Sequence, residues 1–487
     1  MSATATGGPG PRPDHPNILL FISDQQRTDT LGCYGNPWIR SPHQDALAAR
    51  SFLFENTYVT QPVCTPARGS LITGLYPHTH GCMVNRDKLA DRFASLAEML
   101  PDNYRTAHFG KWHLGDDSMC QHGFDEWVSS EDDHRDRYTR PGLPFSSYYY
   151  WMREQGIEPE DRCATGELIF SPEQRSGLGP EHQMAAYVAG HAERFIRANS
   201  ARPWLLVFST FEPHPPMHGP YNGLYDAQAI PNRPTFQAFP KGHSLFNRSR
   251  AGHHPNPRMP GESWRDDAHL LEQRANYYGN VKIIDDAVER MVRVLEESGQ
   301  MERTILAFTS DHGEMLGDHS MMGKRAFYDE SARVPLLLSV PWLTRTQRRV
   351  EGVFGHADLV PTLLDLAGVA LPDALQGRSL AGALDGDLDL RRHTAYMEWN
   401  GIGDRDLGNP VTNLMATLPW RSVVTGDGWK LNLCAGDQSE LFDLNDDPYE
   451  QTNLFAEPAQ RDRVRELAAR IRLWQSETGD EAALPAV

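Results

Sequence analysis

The chain has 487 residues and carries 47 Lys and Arg against 65 Asp and Glu, a formal net charge of −18. A chain of this length can bury a large core and divide into about two or three domains, and its acidic balance argues against a nucleic-acid-binding surface. No run of residues approaches the roughly 20 apolar positions that a membrane span needs. An anionic ligand would therefore have to be bound by a local cluster of Arg, Lys, His and metal ions.

The N-terminal residues and the cysteines bear on the location of the protein. Residues 1–15 are rich in Gly, Pro, Ser, Ala and Thr, which predicts a flexible tail rather than a secretory leader. The six cysteines lack the pairing typical of metal sites and stand at positions 33, 64, 82, 120, 163 and 434. We expect free thiols and a cytoplasmic location, because disulfides persist mainly in oxidising compartments. A leader removed earlier is the alternative.

The first half of the chain alternates strand and helix patterns. Residues 17–23 form a continuous apolar run, typical of a strand that is buried on both faces of a parallel sheet. Ser41 and Pro42 are typical of the start of a helix, which we expect to run through Arg50. The other elements expected before residue 210 are a strand over 52–59, a helix that ends at 95–100, a strand over 105–109, a helix over 182–199 and a strand over 204–209.

The second half continues this alternation and then changes. The elements expected up to residue 385 are a helix over 270–298, strands over 304–309 and 335–340, and a helix over 357–366. After them come short strands over 394–398, 420–424, 429–433 and 440–443 and a helix near 458–476. These patterns predict an α/β fold with a large mixed, mostly parallel sheet flanked by helices. We expect a flexible tail over 1–15, a catalytic domain over 16–385 and a smaller C-terminal α+β subdomain over 386–487.

Two long stretches, 116–180 and 215–265, are rich in Pro, Gly, His and aromatic residues and show weak periodicity. Loops of this length are uncommon in compact proteins and often carry specificity. Aromatic residues of these loops, and Trp399 further along, either stack on a sugar or aryl ring of a substrate or pack in the core. They are Tyr148, Tyr149, Tyr150, Trp151 and Trp264.

A short stretch around Cys64 is the most informative part of the sequence. Pro66 has the backbone angle of a first helical turn, and Gly74 is a common residue just past a helix end. Cys64 would then lie at a helix N-terminus, where backbone N–H groups and the macrodipole favour negative charge. Arg68 follows one turn later, so its guanidinium could lie beside the cysteine. A buried, unreactive cysteine in a proline-bounded turn is the alternative.

Polar pairs follow two of the predicted strands and indicate a metal site. Asp24 and Gln25 come directly after the first strand, and Asp311 and His312 follow the strand over 304–309. Carboxylate and amide oxygens are the ligands that hard divalent cations prefer. Each pair alone would more often be a helix cap or a turn. Their shared position at strand ends favours metal binding.

Further candidates also follow strands. Lys111 and His113 come after the strand over 105–109, and in an extended backbone their side chains would point to the same side. His214 follows the strand over 204–209. His78 and His80 follow Gly74 and either line the pocket or have a structural role. A surface lysine and packed histidines are the alternative for each group taken alone.

The stretch Cys64-x-Pro-x-Arg68, followed by a short apolar run and Thr-Gly, resembles the signature of the sulfatase family. The Gly-Lys-x-His element that ends at His113 and the Pro-His-x-Pro element around His214 resemble elements of the same family. Residues 322–335 resemble its segment with a second sulfate-binding lysine, here Lys324, and residues 440–454 resemble its C-terminal region. The resemblance covers nearly all of residues 16–455, in the family's order.

This resemblance implies a type I sulfatase with an alkaline-phosphatase-like fold. It implies that a formylglycine-generating enzyme oxidises Cys64 to formylglycine, whose hydrate is the nucleophile. It also implies one divalent metal ion, calcium ahead of manganese, held by Asp24, Gln25, Asp311 and His312. Many members have Asp-Asp and Asp-Asn at these two pairs, so Gln25 and His312 leave the identity of the metal open.

The resemblance also implies roles for the other candidates. Arg68, Lys111 and Lys324 would hold the sulfate group. His113 would deprotonate the hydroxyl of the nucleophile, and His214 would protonate the leaving alcohol, with His218 as the competing acid. The implied reaction is hydrolysis of a sulfate ester of a small molecule or a saccharide, and the chain would form a homo-oligomer or act alone.

Two other functions fit parts of the pattern. Phosphonate monoester and phosphodiester hydrolases of the same superfamily also use formylglycine and carry an Asp-His pair like Asp311 and His312. Against them stands the pairing of Lys111 with His113, which we associate with sulfatases. The second alternative is an anion-binding protein whose Cys64 is never converted.

Overall fold

The computed structural model describes residues 10–132, 145–157, 178–251, 267–401 and 407–487, together with the backbone of two short strands between 161 and 169. The predictions on Cys163 and Trp264 lie outside the described residues. The five cysteines within these ranges are free thiols, as expected. No helix of the described ranges has both the length and the apolar character that crossing a bilayer requires.

The strands follow the chain in this order: β1 Asn17–Ser23, β2 Phe52–Tyr58, β3 Arg105–Gly110, β4 Glu126–Ser129, β5 Asp161–Arg162, β6 Leu168–Ile169, β7 Trp204–Ser209, β8 Thr304–Ser310, β9 Arg333–Ser339, β10 Arg348–Gly355, β11 Thr394–Asn400, β12 Pro419–Thr425, β13 Trp429–Cys434 and β14 Glu440–Asp443. The α-helices are α1 Pro42–Ala48, α2 Cys64–Thr73, α3 Pro77–His80, α4 Leu96–Met99, α5 Ser147–Glu154, α6 Met184–Ala198, α7 Leu245–Arg250, α8 Asp267–Glu297, α9 Asp329–Ala332, α10 Leu359–Ala367, α11 Gly382–Asp385, α12 Pro410–Met415 and α13 Arg461–Thr478.

A large sheet of eight strands has the order β10-β2-β9-β8-β1-β7-β3-β4. Strand β9 is antiparallel to both of its neighbours, and the other paired strands of this sheet are parallel. The prediction of a large mixed, mostly parallel sheet is therefore confirmed. All the parallel strands end at the same edge, which is where an α/β sheet binds ligands.

Helices cover both faces of this sheet, as the side-chain alternation of β1 shows. Ile18, Leu20 and Ile22 pack on one face in the same cluster as residues of α10 and α2. Leu19 and Phe21 pack on the other face with residues of α6 and α8. Because all five are buried, each contributes about 1.5–3 kcal/mol to the free energy of unfolding.

The C-terminal strands β11–β14 form a separate antiparallel sheet of four strands. Its inner face packs on α13, with Leu431 and Leu433 in one cluster with Leu467 and Ile471. The predicted α+β character of this region is confirmed, while the domain boundary at residue 385 stays a prediction.

Several short elements differ from the predictions, among them α4, β4 and β10. The helix expected to end at 95–100 is the single turn α4, which begins there because Ser95 caps it by accepting from the backbone N–H groups of Ala97 and Glu98. Strands β4 and β10 were not predicted. β4 has only four residues, and β10 is an edge strand whose register shifts between Val350 and Val353, so neither shows a clear period.

Candidate active site

The candidate site lies at the carboxyl edge of the large sheet, where four central strands end side by side. Gly110 at the end of β3 pairs with Ser209 of β7, Ile22 of β1 also pairs with Ser209, and Ser23 pairs with Ser310 of β8. The polar residues that follow these strands therefore meet, as their positions in the sequence indicated. This register alone places Asp24 beside Asp311.

Four side chains at this edge have the geometry of a metal site. The potential ligand atoms of Asp24, Cys64, Asp311 and His312 all lie within 4.8 Å of one another, and all four residues are buried. The backbone N–H of Gln25 donates to Asp311 Oδ1 at 3.0 Å, which joins the two strand ends. Asp24 Oδ1 has no hydrogen-bond partner among the described residues, although it is buried. An acceptor of this kind is a fitting cation ligand.

His312 is held in the protonation state that a metal ligand needs. Its Nδ1–H donates to the carbonyl of Gly313 at 2.9 Å, so the lone pair is on Nε2. Nε2 lies 3.2 Å from Cys64 Sγ and 3.6 Å from Asp311 Oδ1. Burial lowers the pKa of His312 to about 4, so the ring is neutral. Two carboxylates and a neutral imidazole fit a divalent cation.

Gln25 reaches the same place with its side-chain amide. Its Oε1 accepts from Lys324 Nζ at 3.0 Å, and its Nε2 donates to the carboxylate of Glu314. The residue has a left-handed backbone with φ of 66°, and its carbonyl accepts from the Tyr277 hydroxyl at 2.6 Å. The amide oxygen predicted to bind metal is thus directed at the ammonium group that also contacts Cys64.

Cys64 is the first residue of α2, as the sequence predicted, and Gly74 ends this helix with φ of 70°. Its side chain has no exposed surface. Lys324 Nζ lies 2.8 Å from Cys64 Sγ, and His312 Nε2 lies 3.2 Å from the same atom. The sulfur therefore stands between a cation and a neutral nitrogen at a helix N-terminus, a position that favours negative charge.

Arg68 binds the two aspartates rather than the sulfur. Its Nε donates to Asp311 Oδ2 at 2.8 Å and its Nη2 to Asp24 Oδ2 at 3.0 Å. Nη1 donates to Ser209 Oγ at 2.7 Å and to the Lys111 carbonyl at 3.1 Å. Burial alone would lower the pKa of Arg68, but both carboxylates raise it above its usual value. The expectation that Arg68 holds the anion stays a prediction, since four of its donors bind protein groups.

The two aspartates differ in their electrostatics. Burial acts to raise the pKa of Asp24, but Lys111, His214 and Arg68 outweigh it and hold that pKa well below its usual value. Burial and the charge of Asp24 raise the pKa of Asp311 to about 6. Two buried carboxylates this close repel each other, and a divalent cation between them would relieve that repulsion.

Lys111 and His113 enter the site from the end of β3. Lys111 Nζ lies 2.9 Å from Asp24 Oδ2, and burial, which lowers its pKa, is outweighed by Asp24 and Glu131, which raise it. Gly110 before it has φ of 109°, and an added Cβ would lie 1.7 Å from the Ser209 carbonyl oxygen, so only glycine fits.

The backbone at His113 is not extended, so the prediction that an extended backbone directs its side chain was wrong. It has φ of 60°, a left-handed conformation that costs free energy and needs support. Asp117 Oδ1 supplies that support by accepting from the backbone N–H groups of Trp112 at 3.2 Å and His113 at 2.8 Å. The side chains of Lys111 and His113 nevertheless converge, because both contact Glu131.

His214 follows β7 and is half-buried at the same edge. Its Nδ1–H donates to the Pro215 carbonyl at 2.7 Å, which leaves the lone pair on Nε2. Burial and the nearby Lys324 lower the pKa of His214 well below its usual value. A bound anion would offset the charge of Lys324 and raise that pKa. His218, the competing candidate, is also half-buried, and its backbone N–H donates to the Pro216 carbonyl.

The remaining candidates have packing roles in the structure. His78 Nδ1 lies 2.6 Å from Glu398 Oε2, and His80 is buried beside the Ser70 hydroxyl of α2. Trp399 is buried and its indole N–H donates to the Ala416 carbonyl. Tyr148 and Tyr149 are also buried, and Tyr150 is 45% exposed. Core packing thus accounts for most of the described aromatic residues.

Three carboxylates of the site were not predicted from the sequence. Glu131 follows the unpredicted strand β4, Asp117 lies in a stretch treated as a loop, and Glu314 stands three residues after Asp311. All three are buried, which is rare for carboxylates without partners. A prediction of β4 would have placed Glu131 at the same edge as Lys111 and His113.

Comparison with known proteins identifies the family. The family model Sulfatase matches residues 16–369, and the model of the C-terminal region of N-sulphoglucosamine sulphohydrolase matches residues 317–477. The chain belongs to the sulfatase family. It is a sulfuric ester hydrolase of the alkaline phosphatase superfamily, as the resemblance implied.

Relatives match over nearly the whole chain. A multifunctional alkaline phosphatase superfamily protein of Trinickia caryophylli is 28% identical, and the match covers 95% of this chain and 96% of the relative. An ulvan-active sulfatase of Formosa agariphila is 28% identical, and the match covers 96% of this chain and 83% of the relative. The crystal structure of a phosphonate monoester hydrolase of Agrobacterium radiobacter superposes with a TM-score of 0.77 at 25% sequence identity. The superposition covers 95% of this chain and 96% of the hydrolase chain.

Proposed function

We propose that this sulfatase hydrolyses its ester with a formylglycine made from Cys64. The observation that carries the proposal is the position of Cys64 at the start of α2, with Lys324 Nζ at 2.8 Å and His312 Nε2 at 3.2 Å from its sulfur. A nucleophile formed there stands beside a cation and within the candidate metal site. The formylglycine-generating enzyme is the implied partner in maturation.

The metal site fits one divalent cation. Asp24, Asp311 and His312 would hold it, and Gln25 Oε1 is the fourth candidate ligand. The bound ion would polarise an oxygen of the sulfate group and favour the ionised form of the nucleophile. Oxygen ligands favour calcium, whereas the imidazole of His312 also suits manganese.

The side chains around Cys64 bind the ester and transfer protons. Lys111 and Lys324 bind the negative oxygens of the ester from two sides, and Arg68 keeps both aspartates ionised and in place. His113 accepts a proton from the hydroxyl of the formylglycine hydrate. His214 gives a proton to the leaving alcohol, after the bound anion has raised its pKa.

Phosphonate monoester or phosphodiester hydrolysis is the second candidate function. The likeness to the phosphonate monoester hydrolase favours it, as does His312 in place of an asparagine. The Lys111 and His113 pair favours a sulfate ester. The alcohol part of that ester is that of a small molecule or a saccharide.

The deciding experiment compares kcat/KM for an aryl sulfate and an aryl phosphonate monoester. The protein is coexpressed with the formylglycine-generating enzyme and assayed with calcium and with manganese. We expect a preference for the sulfate of at least about 100-fold, equal to roughly 2.7 kcal/mol of transition-state stabilisation. A preference for the phosphonate would reject the sulfate assignment in favour of the second candidate.

Replacement of the nucleophile tests the proposed modification. We expect Cys64→Ala to keep the circular dichroism spectrum of the wild type and to lose turnover of either ester. Cys82→Ala is the matched control, because Cys82 is also fully buried but packs in the core away from the site. Retained activity in Cys64→Ala, or an intact Cys64 thiol in the peptide mass of active protein, would reject the modification.

A further inference from the structure

Glu131 is a buried carboxylate that the proposed roles leave unused. It is 4% exposed and follows β4, whose Ser129 pairs with Gly110 of β3. Because the chain continues past both strands at the same edge, Glu131 lies beside the segment that carries Lys111 and His113. Its Oε2 lies 3.2 Å from His113 Nδ1 and its Oε1 lies 3.4 Å from Lys111 Nζ.

The contact with His113 decides which nitrogen of the ring carries the proton. A carboxylate accepts hydrogen bonds and cannot donate them, so Nδ1 must be the donor toward Glu131. The lone pair of the neutral imidazole is then on Nε2. Only this tautomer allows Nε2 to accept a proton from a hydroxyl group.

Two other contacts hold the backbone of His113. Asp117 binds the backbone N–H of His113 at 2.8 Å, and Thr65 Oγ1 donates to its carbonyl at 2.8 Å. Both contacts hold the left-handed backbone, and Asp117 Oδ1 is occupied by it. The contact of Nδ1 with Glu131 Oε2 orients the imidazole.

The negative charge of Glu131 would also stabilise the positive charge that forms on His113 during proton transfer. Lys111 Nζ lies between Asp24 Oδ2 at 2.9 Å and Glu131 Oε1 at 3.4 Å, so this carboxylate helps to hold the ammonium. When Nε2 of His113 takes up a proton, the new positive charge forms beside the second oxygen of the same carboxylate. A preorganised negative charge in a buried site stabilises such a state more than water does.

We infer that Glu131 is a positioning residue for proton transfer: it fixes the tautomer of His113, stabilises the imidazolium, and holds Lys111 beside Asp24. The proton moves from the nucleophile's hydroxyl to Nε2, while Nδ1 keeps its own proton. The inference rests on the proposed function, since it assigns the support behind a residue that this function uses.

The kinetic test is a double-mutant cycle. We expect Glu131→Ala to lower kcat by about 100-fold or more, the usual share of general acid–base catalysis, with KM unchanged or lower. Glu131→Gln keeps an acceptor for Nδ1–H but loses the charge, and we expect a smaller loss. Glu126→Gln is the matched control on β4, where Glu126 pairs at a partly exposed site with Arg105.

The cycle separates a positioning role from a structural one. Glu131→Ala added to His113→Ala should cost much less kcat than Glu131→Ala costs in the wild type, because the shared proton transfer is already lost and only the contact with Lys111 remains. Losses that multiply, or a raised KM with unchanged kcat in Glu131→Ala, would overturn the inference.

A second measurement does not depend on activity. The ¹⁵N shifts of His113 in histidine-labelled protein, assigned with His113→Asn, should report the Nδ1–H tautomer in the wild type and a mixture in Glu131→Ala. An Nε2–H tautomer in the wild type, or spectra of Glu131→Ala identical to it, would overturn the inference. A wild type that hydrolyses neither ester would instead contradict the proposed function, and the tautomer would still decide on Glu131.

Discussion

Gln25 stands where many sulfatases have a second aspartate, and its surroundings explain the difference. Its Nε2 donates to the carboxylate of Glu314, which is fully buried. Glu314 Oε1 also accepts from the backbone N–H groups of Leu316 at 3.0 Å and Gly323. A carboxylate at position 25 would lie against this carboxylate and repel it. The amide is therefore the residue type that satisfies Glu314 and still offers an oxygen to Lys324.

Exchange of these two side chains tests this explanation. In metal-free protein we expect Gln25→Glu to lower the free energy of unfolding by about 3–5 kcal/mol, because it leaves two buried carboxylates in contact. The double variant Gln25→Glu/Glu314→Gln restores one donor to the pair and should recover part of that loss. Urea denaturation in the presence of a chelator measures both. A single variant as stable as the double one would contradict the explanation.

Single residues were predictable where the backbone fixes their place. Asp24, Asp311 and His312 follow adjacent strands, so the sequence pattern was enough to bring them together. The partners of Arg68 were not predictable, because a long side chain reaches Asp24 and Asp311 from another element. The side-chain direction of His113 depended on a left-handed backbone that contacts with Asp117 and Thr65 stabilise.

At the scale of elements, α3 connects the nucleophile's helix to the C-terminal sheet. His78 of α3 contacts Glu398 of β11, both through its backbone N–H at 2.6 Å and through Nδ1 at 2.6 Å. Burial acts to lower the pKa of His78, but the hydrogen bond to Glu398 and its charge raise it above its usual value. The protonated form is therefore the one that stabilises this connection.

The stability of this connection should depend on pH. Because the folded-state pKa of His78 is raised, its contribution is fully present below pH of about 6.5 and is lost as the pH rises through the raised value. We expect His78→Gln to be less stable than the wild type at pH 5.5, and the difference to shrink toward pH 9. Thermal unfolding across this range measures it. A difference that does not change with pH would contradict the assignment of a charged pair.

Elements were predictable when their own sequence was long and apolar. Strands β1, β7 and β8 are buried at every position, so a continuous apolar run identified each of them. Strand β10 exposes three of its first four residues and pairs across a shift in register, so its pairing with β2 depends on tertiary structure. The four residues of β4 are too few to show a period.

On the scale of the whole molecule, the two sheets share buried contacts. One apolar cluster joins Tyr58 and Val334 of the large sheet to Ala395, Met397 and Val424 of the small one. Lys430 of β13 adds a buried ion pair to Asp329 at 2.5 Å and another to Glu450 at 2.8 Å. These contacts indicate that both sheets unfold together.

Removal of the shared charge tests this coupling. We expect Lys430→Met to lower the free energy of unfolding by about 3–5 kcal/mol, because two buried carboxylates lose their cation. Circular dichroism and enzyme activity should still be lost at one common, lower midpoint. Lys88→Met is the control, since the side chain of Lys88 is 54% exposed. Loss of the C-terminal structure before loss of activity would show that the sheets unfold separately.

On the proposed function, the burial of Cys64 sets the order of events during synthesis. No atom of this residue is exposed, and α2 is buried from Cys64 to Thr73. An enzyme that oxidises the thiol has to touch it, so on the proposed function it acts on the nascent chain before α2 docks. The fraction of molecules that become active then depends on the relative rates of modification and folding. Molecules that fold first stay inactive until they unfold, and slower translation or a lower growth temperature would raise the yield of active enzyme.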